Sequence, residues 1–149
     1  MARTPRSPPS NAATVQRSFR LNPRTLELLD ARAAETDESR NALTQRLLEE
    51  SVRIDRHPLI YYRQGASGRR RPALVGTRLD VGQVMSTVRG EAGDVESAAE
   101  YFSIAPRLIQ AAVDFYAEFT DEIDAQHDED RSFAEIQRQR WERAQRVLG

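Results

Sequence analysis

A solitary run of strand-like alternation near the N-terminus constrains this chain more than any other feature. Val15, Phe19 and Leu21 fall on one side of it and Gln16, Ser18 and Arg20 on the other, with Arg17 interrupting the apolar side at its start. The run stops at Asn22-Pro23, where Asn is a favoured N-cap and Pro a favoured first helical residue, so a helix is predicted to open there and run to about Glu35. Leu26, Leu29 and Ala33 give that helix one apolar stripe, with Leu28 beside it. Thr36-Asp37-Glu38 then breaks the pattern without supplying a Gly, and Ser39 is placed to cap a second helix through Leu43, Leu47, Leu48 and Val52. A strand followed by two helices has nothing in its own copy to pair with the strand's N–H and C=O groups. Two copies meet the need by pairing their strands antiparallel, so a homodimer is expected.

The remaining composition removes several classes of chemistry. The 149 residues contain no Cys, which excludes disulfide frameworks, thiolate nucleophiles and sulfur-based zinc sites, and the two histidines, His57 and His127, are far apart in sequence. No apolar run approaches the ~20 residues that cross a bilayer, and residues 1–13 are polar and Pro-rich where a signal peptide would be apolar. A disordered tail over 1–13 and a cytoplasmic protein without membrane contact are therefore expected. Gly65 to Gly68 has the wrong spacing for a phosphate loop, and Asp121, Glu122 and Asp124, in a chain without Cys, are expected to start a helix rather than serve catalysis. The expectation is a non-enzymatic protein with no catalytic residue, metal or cofactor.

Charge is unevenly distributed. Residues 1–80 hold 15 Arg against 9 acids and residues 81–149 hold 7 Arg against 14 acids, so a basic half precedes an acidic one. That asymmetry is expected when one end of a chain meets nucleic acid. All 22 basic residues are Arg.

Beyond residue 55 a second unit is predicted. His57-Pro58 opens a short strand from Leu59 to Arg63, Gly65-Ala66-Ser67-Gly68 supplies turn chemistry, and a second strand runs to Val75. Asp80 and Gln83 make a capping-box-like start for a helix with Val81, Val84, Met85 and Val88 inside, which Gly90 ends. Asp94 starts a short helix through Ala98, Ala99 and Phe102, and Pro106 a longer one, whose polar stripe of Arg107, Gln110, Asp114 and Glu118 is narrow enough to make it central to the core. The fold class is mainly α, with three helices and a hairpin suggesting a winged-helix-like domain. Past Thr120 comes a highly charged helix, acidic at its start and basic at its end, as suits the helix dipole.

Residues 14–54, with Phe19-Arg20-Leu21, a Pro-opened first helix and Ser39-Arg40-Asn41-Ala42-Leu43 leading into Leu47-Leu48, resemble the ribbon-helix-helix family. The resemblance implies that outward side chains of the paired strands enter the major groove of double-stranded operator DNA and that the second helix's N-terminus grips phosphate. Carried over by position, Gln16, Ser18 and Arg20 become the base readers, and Ser39, Arg40 and Asn41 the phosphate clamp. Gln suits adenine, Arg suits guanine, and Ser suits either partner.

The stretch His57-Pro58-Leu59-Ile60, Gly68-Arg69-Arg70, Val75-Gly76-Thr77-Arg78-Leu79-Asp80-Val81 and Asp121-Glu122-Ile123-Asp124 is similar to a domain-of-unknown-function family widespread as VapB-type antitoxins. The resemblance implies a type II toxin-antitoxin role, with a PIN-like ribonuclease toxin as partner and repression of the chain's own operon. Such a ribonuclease holds its metal with clustered carboxylates, which an inserted Arg can occupy. Arg138, Arg140, Trp141, Arg143 and Arg146 are the candidate toxin-binding residues; the second domain's surface, including Arg69 to Arg71, is the alternative. The expected division is a tail over 1–13, a DNA-binding dimer unit over 14–55, a winged-helix-like antitoxin domain over 56–120 and a charged helix over 121–149. A free-standing transcriptional regulator whose second domain senses a ligand or oligomerises, and an adaptor in a larger assembly, fit the same residues.

Overall fold

In the computed structural model, residues 14–148 are described; the Pro-rich segment 1–13, for which composition predicts disorder, and Gly149 lie outside the described residues. The described chain is mainly helical, with six helices and one two-stranded antiparallel hairpin. No helix among the described residues is long and apolar enough to cross a membrane. Two compact units divide at residues 45 and 46.

In the first unit, helix α1 spans Pro23–Thr36 and opens as its sequence dictates: the Asn22 side chain accepts from the Thr25 N–H at 2.8 Å, with Pro23 at the first helical position. Asp37 ends it with φ 56°, taking the left-handed conformation that Gly usually fills, which a short acidic side chain tolerates. Helix α2, Arg40–Arg56, starts where Ser39 Oγ accepts from the Ala42 N–H at 3.1 Å. Residues 14–22 differ from expectation: they form no regular secondary structure. The physical reason is that a strand is a pairing of two backbones, and the described residues of this unit hold no other strand to supply the second. No residue of α1 is buried, and Val15, Phe19, Leu21, Leu26 and Leu28 are all exposed, Phe19 to 76%.

The second unit begins at Arg46, ten residues before the expected boundary, because the later turns of α2 are tied to elements far along the chain. The nearly buried Glu50 takes a two-pronged bond from Arg70, with both N···O distances 2.9 Å. Strands β1, Ile60–Gln64, and β2, Arg70–Leu74, pair in the register Ile60 to Leu74 and Gln64 to Arg70. Their turn uses Gly68 at φ 81° and the close approach of Gly65 to Arg71, whose Cγ would lie 2.9 Å from any added Cβ.

Helices α3, Val81–Gly90, α4, Val95–Phe102, and α5, Pro106–Glu118, follow, each opening at the capping residue or Pro that the sequence places there. The Asp80 N–H donates to Gln83 Oε1 at 3.0 Å, and Asp94 accepts from the Glu96 N–H. Helix α5 is central as expected, since it packs on both strands and on α3, α4 and α6. Its Ile109, Ala112 and Phe115 join Ile60, Leu74, Val81, Val84 and Ala98 in one fully enclosed cluster. Helix α6, Thr120–Leu148, is not a separate element: Ile123 enters this same core.

Candidate functional site

Each residue assigned to DNA reading lies in the first unit. Gln16, Ser18 and Arg20 are exposed, but so are Val15, Phe19 and Leu21 between them. The expected distinction between an inward and an outward side is therefore not expressed in a single copy, because nothing covers the apolar side.

At the start of α2 the three clamp residues are close together in sequence and differ in occupation. The Ser39 oxygen caps the helix and its hydroxyl hydrogen is left to donate. Arg40 Nε lies 2.5 Å from Asp30 Oδ1 of α1, and both side chains are about half exposed. Such a surface pair is worth only about 0–1 kcal/mol, less than the ~1.5–3 kcal/mol of a good bond to a charged group, so an arriving phosphate can draw Arg40 away. Asn41 is exposed. The first turn of α2 carries no acidic residue, which leaves its positive dipole end uncancelled from within.

The C-terminal candidates separate by environment. Beyond Ile123 no residue of α6 is buried. At 100° per residue Phe133, Ile136, Arg140, Ala144 and Val147 share one face, with Trp141 and Leu148 at its edge. Ile136, Trp141, Val147 and Leu148 are all exposed, Trp141 to 63%. Arg138 is held by Glu135 at 2.8 Å and Glu142 at 3.4 Å, and it keeps the Glu135 carboxyl below the usual range. Arg143 and Arg146 donate back to the Gln139 and Glu142 carbonyls. Arg140 has no polar partner among the described residues and lies on the apolar face by helical spacing, next to Trp141 in the chain.

Three charge networks of the second unit are absent from the sequence reading. Arg53 reaches Glu122 with two bonds of 2.8 and 2.9 Å, donates to the Tyr62 hydroxyl and lies 4.2 Å over the Phe119 ring. Burial works against its charge, but the bonds to Glu122 and Tyr62 outweigh it and hold its pKa above the ordinary value. Arg71, almost wholly buried, donates to Asp130 at 2.8 and 3.0 Å and to Glu129 at 2.9 Å, while Ser67 Oγ donates to Asp130 at 3.0 Å. The third is the Glu50–Arg70 pair. The oppositely charged partners here stand 20 to 69 residues apart, so no local spacing announces them.

The acidic run at the start of α6 does not converge. Glu122 serves Arg53, whereas Asp124 accepts from the Tyr116 hydroxyl at 3.0 Å, and Arg89 contacts that same hydroxyl. Among the described residues no group of three or more His, Asp or Glu side chains is placed to hold a metal ion. Comparison of the chain with protein-family models, with curated proteins and with solved structures gives no match.

Proposed function

We propose that this chain is the antitoxin of a type II toxin-antitoxin pair: a ribbon-helix-helix dimer that binds operator DNA to repress its own synthesis and captures a PIN-like ribonuclease through its C-terminal helix. The observation that carries the reading is the contrast between the units. The second encloses an apolar core of its own, while the first leaves Val15, Phe19, Leu21, Leu26 and Leu28 exposed and buries nothing on α1. An amphipathic segment that buries only Leu43 among its described residues, and carries an unpaired strand-like run, is stable only if a second copy covers its apolar side. Antiparallel pairing of two copies buries Phe19 and Leu21 and turns Gln16, Ser18 and Arg20 outward together, at the width of a two-stranded ribbon that the major groove admits.

Arg20→Ala is expected to weaken binding to a duplex spanning the chain's own promoter by about 1–3 kcal/mol, roughly 5- to 150-fold, and to relax preference at one base pair. Footprinting and titration at one fixed salt concentration measure both. If the variant keeps the parent's affinity and base preference, the strand does not read DNA.

Neutralisation follows from the same charge logic. A carboxylate-lined metal centre attracts a guanidinium that need not first abandon another partner, and Arg140 fits that description better than Arg138. A cut after Thr120 cannot test this, because it removes Ile123 from the core and takes the acids from Arg53 and Arg71. A chain ending at Ala134 keeps all of these. It is expected to melt with the parent and retain DNA binding while losing protection of cells that co-express the toxin. Intact protection would move the neutralising surface to residues 56–134, where Arg69 is an exposed candidate.

A further inference from the structure

We infer that the second unit holds a binding site for a free phosphate-bearing small molecule of nucleotide size, in a cleft between the hairpin, the start of α3 and α6. The cleft has a volume of about 390 Å³, within the range of small-molecule sites, and it owes nothing to the DNA-reading or toxin-capturing surfaces. Its walls carry four arginines, Arg63, Arg71, Arg78 and Arg131, against two aspartates, Asp80 and Asp130.

The charges do not cancel. Arg63 is matched by Asp80 at 2.8 Å, and Arg71 by Asp130 together with Glu129. Arg78 and Arg131 are left, both exposed to the cleft's solvent and neither in an ion pair among the described residues. His127 adds a ring from α6 that can donate or accept. Two unmatched guanidiniums are the complement of a doubly charged phosphate, and planar forks from two different segments lining one cleft suit its several oxygens better than a single carboxylate.

The cleft is also built to persist. Buried Arg71 fixes the hairpin to α6 through Asp130, and Ser67 bonds the same carboxylate from the turn. Gly82 lets α6 close the floor, since a Cβ there would lie 3.1 Å from the His127 Cβ and 3.2 Å from its Nδ1. Asp80 already occupies the end of α3, so the helix end itself contributes no anion site and recognition falls to the two arginines. A recess of this volume matches a free small ligand in size.

Calorimetric titration of the full-length protein with inorganic pyrophosphate and with ADP tests the site, with succinate as a dianion lacking phosphate. Both phosphate probes are expected to bind saturably, Arg78→Gln and Arg131→Gln each to weaken them about 10- to 100-fold, and Arg107→Gln, outside the cleft, to leave them unchanged. All three variants replace exposed side chains and should melt with the parent, which a thermal scan verifies. Absence of saturable binding below millimolar concentration, or undiminished binding by the double variant, overturns the proposal. Succinate binding as tightly as pyrophosphate overturns it as well, because mere charge screening then accounts for the result. If pyrophosphate fails to bind while the double variant loses affinity for a non-specific duplex, the two arginines are DNA-backbone contacts and the small-molecule site is refuted.

Discussion

Phe19→Asp is expected to convert a micromolar solution of the protein from dimer to monomer and to abolish DNA binding with it. Phe19 is three-quarters exposed in a single copy, and a symmetric interface would bury it twice. Each buried Phe contributes about 1.5–3 kcal/mol, so losing both weakens dimerisation by roughly a hundred- to ten-thousand-fold. The introduced carboxylates would face each other across the ribbon and add repulsion. Sedimentation equilibrium measures the effect directly, and Phe19→Leu should restore most of the association. On the proposed reading folding and pairing of the first unit are a single event, so the parent should also show a melting transition of that unit that rises with protein concentration. A parent that sediments as a monomer at micromolar concentration, or a variant that remains a dimer, removes the basis of the ribbon-helix-helix reading.

The second large effect concerns the buried Arg71. Asp130→Ala takes away its two-pronged partner and leaves Glu129 as its one carboxylate, beside neutral acceptors at the Arg70 carbonyl and the Ser67 hydroxyl, so the buried guanidinium loses a large part of its charge compensation. A loss of about 2–4 kcal/mol is expected, enough to lower the second unit's melting temperature by roughly 10 °C or more. Asp130→Asn keeps an acceptor and should cost less.

The same contact sets an acid limit. Burial pushes the Asp130 carboxyl up, but the bonds from Arg71 and Ser67, with the Arg71 charge, outweigh that and hold it below the usual value. A carboxyl whose pKa falls on folding stabilises the fold fully above its unfolded value of about 4, and that contribution is lost as pH drops through the lower folded value. Thermal scans from pH 6 downward should therefore show the parent losing stability below about pH 4 faster than Asp130→Asn, which has no such proton to take up. Parallel curves for the two proteins would show that the Arg71 contact is not what couples this fold to acid.

Helix starts were legible because their causes lie within three or four residues. Asn22-Pro23, Ser39, Asp80 with Gln83, Asp94 and Pro106 each act on the next turn of backbone, and the helices open where those residues stand. The hairpin was legible for the same reason, since Gly68 supplies the positive φ that its turn requires. The turn after α1 was less so. It lacks Gly, and only the folded structure shows Asp37 in the left-handed region.

Three things were decided by tertiary structure alone. Residues 14–22 have the alternation of a strand, yet alternation specifies only which side chains share a side, and the ladder that makes a strand must come from another backbone. The unit boundary falls inside α2, because Glu50 and Arg53 find partners at Arg70 and Glu122 that helical periodicity cannot foresee. The cleft exists because β2, the Gly82 turn of α3 and His127 of α6 meet, bringing Arg78 and Arg131 to one cavity across more than fifty residues of chain. Sequence determines what acts through neighbouring residues: caps, turns, and which face of each element is apolar. Charge pairing and cavity lining depend on distances between elements, and those distances arise only when the apolar faces have found one another.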